Sequence, residues 1–179
     1  MKRAGLLVLA FAALVLSTGC PFESTVPLGS PGPGSLDPQL KGRWVAGTLY
    51  HKFIEIDCLP FNANEYYVEL RLEGKEPERY RAYTARVGGE AFLVVNEFKD
   101  DPARHRFYFA RYTIGRDGAL ALRFVGDKAV PGALATDQKA LESYLAAHLE
   151  GPSLDDSEPP SVLRRPEAPK PAGEAKTPP

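Results

Sequence analysis

Residues 40–151 predict a mainly β fold: an antiparallel meander closing into a small barrel or strongly curved sheet, with one C-terminal helix packed on it. Three observations carry this. Tyr66, Val68, Leu70 and Leu72 alternate with Tyr67, Glu69, Arg71 and Glu73, the period of a strand with one buried face. Gly88-Gly89 and Asp117-Gly118 each separate two apolar runs, and such pairs supply the positive φ that tight hairpins need. No run of helical period interrupts the strands before residue 136, so consecutive strands are left to pair with one another.

The elements follow in order. Gly42-Arg43-Trp44 opens an extended run to Tyr50, with Trp44, Ala46, Thr48 and Tyr50 on one side. Ile54, Ile56 and Cys58 alternate with Glu55 and Asp57 until Pro60 interrupts, which predicts a strand near a sheet edge. Gly74-Lys75-Glu76-Pro77 is a turn, Arg79 to Val87 and Ala91 to Val95 flank Gly88-Gly89, and Lys99-Asp100-Asp101-Pro102 is a polar loop. Arg106 to Ile114 and Leu120 to Phe124 complete roughly seven short strands. The helix is expected over about 136–150, capped by Thr136, with Asp137 against the positive end of its dipole and Leu141, Tyr144, Leu145, His148 and Leu149 on one stripe before Gly151-Pro152 stop it.

The two ends read differently. Residues 21–37, PFESTVPLGSPGPGSLD, are dense in Pro, Gly and Ser, and residues 20–39 are expected to form a flexible linker reaching on the order of 50 Å at about 3.1 Å per residue. After Gly151 the chain carries eight prolines and no aromatic residue, so 152–179 is expected to be a disordered Pro-rich tail. Before the linker, Met1-Lys2-Arg3 is a positive start, and Ala4 to Leu16 is apolar but well short of the roughly 20 residues a membrane-crossing helix needs. Small residues Ser17, Thr18 and Gly19 then lead to Cys20.

Leu16-Ser17-Thr18-Gly19-Cys20, behind that basic and apolar start, resembles a bacterial lipoprotein lipobox. The resemblance implies a signal peptide over residues 1–19, cleavage between Gly19 and Cys20, and a diacylglyceryl thioether on Cys20, with a further acyl chain on its amine in many bacteria. It also implies a lipid-anchored place in the cell envelope, at the periplasmic face of the outer membrane where the host has two membranes. A multi-chain anchor is effectively permanent, because each buried methylene contributes about 0.8 kcal/mol.

Loss of Lys2 and Arg3 takes the net charge from −1 to −3, which selects no class of partner. With Cys20 acylated, Cys58 is the remaining cysteine and no intrachain disulfide is available. Cys58 shares a strand face with Ile54 and Ile56, where a buried thiol is a core residue. His51 at a turn, His105 before a strand and His148 near the helix end are not paired at metal-ligand spacing, and Glu97, Asp100 and Asp101 lack the spacing of a calcium loop. The sequence thus assigns no catalytic residue, cofactor or metal ligand.

Tyr80, Arg81, Tyr83, Arg86, Arg106, Tyr108, Arg111 and Tyr112 interleave aromatic and basic side chains as a single-strand nucleic-acid platform would. The balance from Lys41 to Lys128, 15 basic against 13 acidic residues, is too even for an electrostatic funnel, and no nucleic-acid partner is expected. Gly42-Arg43-Trp44 is similar to the Gly-x-Trp that opens the first lipocalin strand, and a late helix after a β meander resembles that family too. The expectation is a binding or scaffolding lipoprotein that contacts the membrane through Cys20 and an envelope protein or apolar small ligand through the sheet. The alternatives are an envelope hydrolase assembled from dispersed His, Asp and Glu, and a passive structural lipoprotein.

Overall fold

The computed structural model describes residues 20–49, 52–98, 105–149 and 161–166. The signal segment 1–19, Tyr50 and His51, the loop 99–104, and residues 150–160 and 167–179 of the helix end and tail lie outside the described residues.

Eight strands form one antiparallel sheet in sequence order: β1 (Gly42–Leu49), β2 (Lys52–Pro60), β3 (Tyr66–Leu72), β4 (Glu78–Val87), β5 (Glu90–Glu97), β6 (Phe107–Ile114), β7 (Leu120–Phe124) and β8 (Ser161–Leu163). Val45 of β1 bridges Arg164, just past β8, and the sheet becomes a nearly closed barrel. The meander is as the alternation requires, and Gly88-Gly89 makes a two-residue turn: Val87 pairs with Glu90, and both glycines have positive φ, 57° and 91°. Successive strands run in opposite directions, so one end of the barrel holds Gly42, the β2–β3 turn, Gly88-Gly89 and the β6–β7 turn. The starts of β4, β6 and β8 mark the other.

Period-two patterning sorts the side chains into two cores. Trp44, Ile54, Cys58, Val68, Leu70, Val95, Leu120, Leu122 and Leu163 point inward together with Tyr66, Tyr80, Tyr108 and Tyr112. They leave an interior cavity of only about 60 Å³. On the outside of β4–β6, Tyr83, Val87, Phe92, Val94 and Phe109 form a second apolar layer. Helix α1 (Gln138–Ala147) covers it with the fully buried Leu141 and Leu145. Asp137, rather than Thr136, caps α1 by accepting from the Ala140 amide at 3.0 Å, because Thr136 ends a 3-10 turn over Gly132–Thr136.

Two expectations about chain organisation are corrected. Residues 20–39 are not a linker but a strap. The Cys20 carbonyl accepts from the Asp127 amide at 2.9 Å, Phe22 donates to the Val125 carbonyl at 2.7 Å, and Ser24 exchanges two backbone bonds with Phe107. Phe22, Ser24 and Leu28 are buried, because the outer layer on β4–β6 is wider than one ten-residue helix can cover. Part of the Pro-rich tail is likewise structural: residues 161–163 are β8, and Leu163 is buried in the barrel. As Pro60 predicts, β2 lies near an edge, between the terminal strand β1 and β3, with Pro60 as its last residue, where a missing N–H removes least from the ladder.

The strap and the closing strand are both open to a stability test. Phe22→Ala and Leu163→Ala are each expected to lower unfolding stability by about 3 kcal/mol in urea titrations, as large-to-small core changes do. A true linker and a true free tail would leave the midpoint unchanged.

Candidate functional site

The strap runs from Cys20, beside Gly126, across β6, β5 and β4 to the other end of the barrel. There it bounds a groove of about 580 Å³ between Gly29–Gln39, the second half of β4, the start of β5, Tyr112 of β6 and Glu142 of α1. Local bonds hold this wall in shape. The Ser35 hydroxyl accepts from the Gly32 amide at 2.9 Å, the Ser35 carbonyl accepts from Thr84 at 2.8 Å, and Tyr83 donates to the Leu28 carbonyl at 2.9 Å. Glu142 accepts from the Gly29 amide at 2.7 Å and from Gln138 at 2.9 Å, tying helix to strap.

Asp37 is the groove's most engaged group. Its carboxylate accepts from the Gln39 amide at 2.9 Å and from the Tyr112 hydroxyl at 3.0 Å, and its carbonyl accepts from Tyr66 at 2.6 Å. Burial and the Asp37 carboxylate push the Tyr112 phenol well above its ordinary range, so it stays a protonated donor. Arg86 contributes an exposed cation, with one bond to the Gly89 carbonyl at 3.0 Å. Two carboxylates, one guanidinium, hydroxyls and backbone carbonyls suit hydrogen bonding to a polar partner.

Beneath the groove that end of the barrel is sealed. Trp44 donates its indole N–H to the Leu40 carbonyl at 2.8 Å, and the Arg165 guanidinium lies 4.0 Å above the ring. Arg165 also donates to the Lys41 and Gln39 carbonyls at 2.6 and 2.8 Å. Gly42 has a φ of 115°, a backbone conformation that strains any residue with a Cβ, so glycine is favoured here.

The sequence-derived candidates separate. Cys58 is buried among the interior side chains, and desolvation pushes its thiol up to about 12, against a smaller opposing effect of Arg165. His105 stands edge-on to Phe107 at the start of β6, whereas His148 caps the far end of α1, donates to the Tyr144 carbonyl at 2.7 Å and stacks on that ring at 4.0 Å. Neither lines the groove. Among the described residues no group of three or more His, Cys, Asp and Glu is placed to hold a metal, and no helix is long and apolar enough to cross a membrane. The tyrosine and arginine set makes no platform either: Tyr80, Tyr108 and Tyr112 point into the barrel and Tyr83 lies under α1 and the strap, while their neighbouring arginines face outward.

Two surface features went unread in the sequence. On β1–β3, Arg43 grips Asp57 at 2.9 and 3.1 Å, and Arg71 bridges Asp57 at 2.6 Å to Glu55 and Glu69, separating the like charges that the register sets opposite each other, Asp57 and Glu69. Beside it, Phe61 meets Phe98 edge-on at 5.6 Å, Tyr67 meets Phe98 at 6.2 Å, and Arg81 lies 5.1 Å over Phe61 while pairing with Glu65. Leu59, Phe61 and Phe98 are the exposed large apolar residues of this patch.

Fold and site together define a small meander barrel with a packed interior and a polar external groove. Compared with known proteins, the chain matches no family model, no curated protein and no solved structure.

Two measurements follow from this chemistry. In a Cys20→Ser variant the remaining thiol is expected to resist a disulfide reagent at about pH 8 until denaturant is added, since the thiolate is the reactive form. Arg43, first by its hydrogen bonds, holds the Asp57 carboxyl below its ordinary range. Its contribution to stability is therefore present above the unfolded-state pKa of about 3.9 and is lost as pH falls below it. Asp57→Asn is expected to lie below wild type in urea midpoint at about pH 6, and the gap is expected to narrow progressively as pH falls below about 3.9.

Proposed function

We propose that the chain is a lipid-anchored envelope protein that binds a polar partner through the groove at the end of the barrel remote from Cys20. The groove carries the binding part of this reading. At about 580 Å³ it falls within the range of roughly 300–1,000 Å³ over which ligand sites occur. The interior cavity, at about 60 Å³, has room for no more than about two waters, so an apolar small molecule inside the barrel is the less supported version. The anchor rests on Leu16 to Cys20, and the exposed Cys20 side chain leaves its sulfur free to carry acyl chains.

Intact mass of the membrane-extracted protein tests the anchor. The expected product begins at Cys20 and carries acyl chains, and Cys20→Ser is expected to remain unprocessed or to leave the membrane fraction. The groove is tested by binding to isolated envelope material. Arg86→Glu is expected to reduce binding several-fold and Phe61→Ser to leave it unchanged; equal binding by wild type and Arg86→Glu overturns the groove.

A further inference from the structure

We infer that the acyl anchor has no tether, so that the barrel sits directly on the bilayer with its Cys20 end against the lipid headgroups and its groove turned away. The inference rests on Cys20 being the acylated residue, as proposed above. A free segment from Pro21 to Asp37 would let the domain tumble up to about 50 Å from the surface at about 3.1 Å per residue. The structure removes that slack at its first residue. The Cys20 carbonyl is held by Asp127, Pro21 bridges Gly126, and Phe22 is both backbone-bonded to Val125 and buried against Phe109. The attachment point is thus a fixed position on the barrel rim.

The charged residues that flank it suit contact with headgroups. Glu23 pairs with Arg106 at 2.7 Å, and Asp127 and Lys128 are exposed beside Cys20, so charges of both signs flank the attachment point among the described residues. Strand direction places the groove at the opposite rim, since Thr84–Arg86 lie near the end of β4 and Ala91 near the start of β5, while Val125-Gly126 follow the end of β7. Strands of eight residues rise roughly 25 Å, reduced to about 20 Å by barrel tilt, so the two rims lie at clearly different heights above the membrane.

The test uses the full lipidated protein in vesicles of phosphatidylethanolamine and phosphatidylglycerol whose headgroups carry a nitroxide quencher. Acylation blocks Cys20 and burial protects Cys58, so one introduced cysteine takes the fluorophore. A label at Lys128→Cys is expected to be quenched several-fold more strongly than one at Arg116→Cys in the β6–β7 turn, and a flexible Gly-Ser insertion between Cys20 and Pro21 is expected to abolish the difference. Equal quenching at the two sites in a protein whose mass shows the acyl chains overturns the orientation alone. A mass without acyl chains overturns the anchor reading itself, and the orientation falls with it.

Discussion

The structure depends on one constraint: β4, β5 and β6 are apolar on both faces, and a sheet has only one face that barrel closure can bury. Closing the sheet removes Tyr80, Val95, Tyr108 and their neighbours from water. It leaves Tyr83, Phe92, Val94 and Phe109 outside. At about 25 cal/mol per Å² of apolar surface, four exposed side chains of that size would forfeit several kcal/mol, comparable to the net stability of a domain. The outer layer must therefore be covered, and the chain does this with α1 from one side and the strap from the other. Everything at the candidate site follows, because the groove lies where strap and helix approach each other over β4.

That constraint also explains what could be read from the sequence and what could not. The meander was legible because hairpin turns and period two are local signals: residues 66–72 and Gly88-Gly89 announce themselves within a few positions. The strap was not, because its apolar residues, Phe22, Val26, Leu28 and Leu36, obey no period. They pack as single knobs against a surface formed far away in the chain, while the Pro and Gly between them resemble a spacer. Three residues of β8 are too few for any alternation to show. The groove inherits this blindness. Arg86 and Tyr112 were singled out, although for a platform that does not form, whereas Asp37 and Glu142 acquire meaning only once strap and helix have docked.

Cys58 and the tyrosines show the converse, where a chemically suggestive residue is accounted for by packing. The thiol lies on the face its period assigned to it, and the same burial that makes it a good core residue removes its reactivity. The interior phenols behave alike: desolvation keeps Tyr66, Tyr80, Tyr108 and Tyr112 neutral, and their hydroxyls bond to groups at the rims or to acids beside them. With so many rings inside, the barrel is filled by its own side chains.

The clasp of Arg165 on Trp44 joins positions 124 apart through the Lys41 carbonyl, and it bears on the order in which the fold can be assembled. Among the described residues the strand that closes the ring follows every other element, so a polypeptide made from its N-terminus onward holds the other seven strands with two raw edges before this one exists. Such edges template pairing with other chains, and long-range closure is slow. The last strand therefore converts a sticky open sheet into a ring with little edge left to offer, and three residues with one stacked guanidinium are what separate those two molecules.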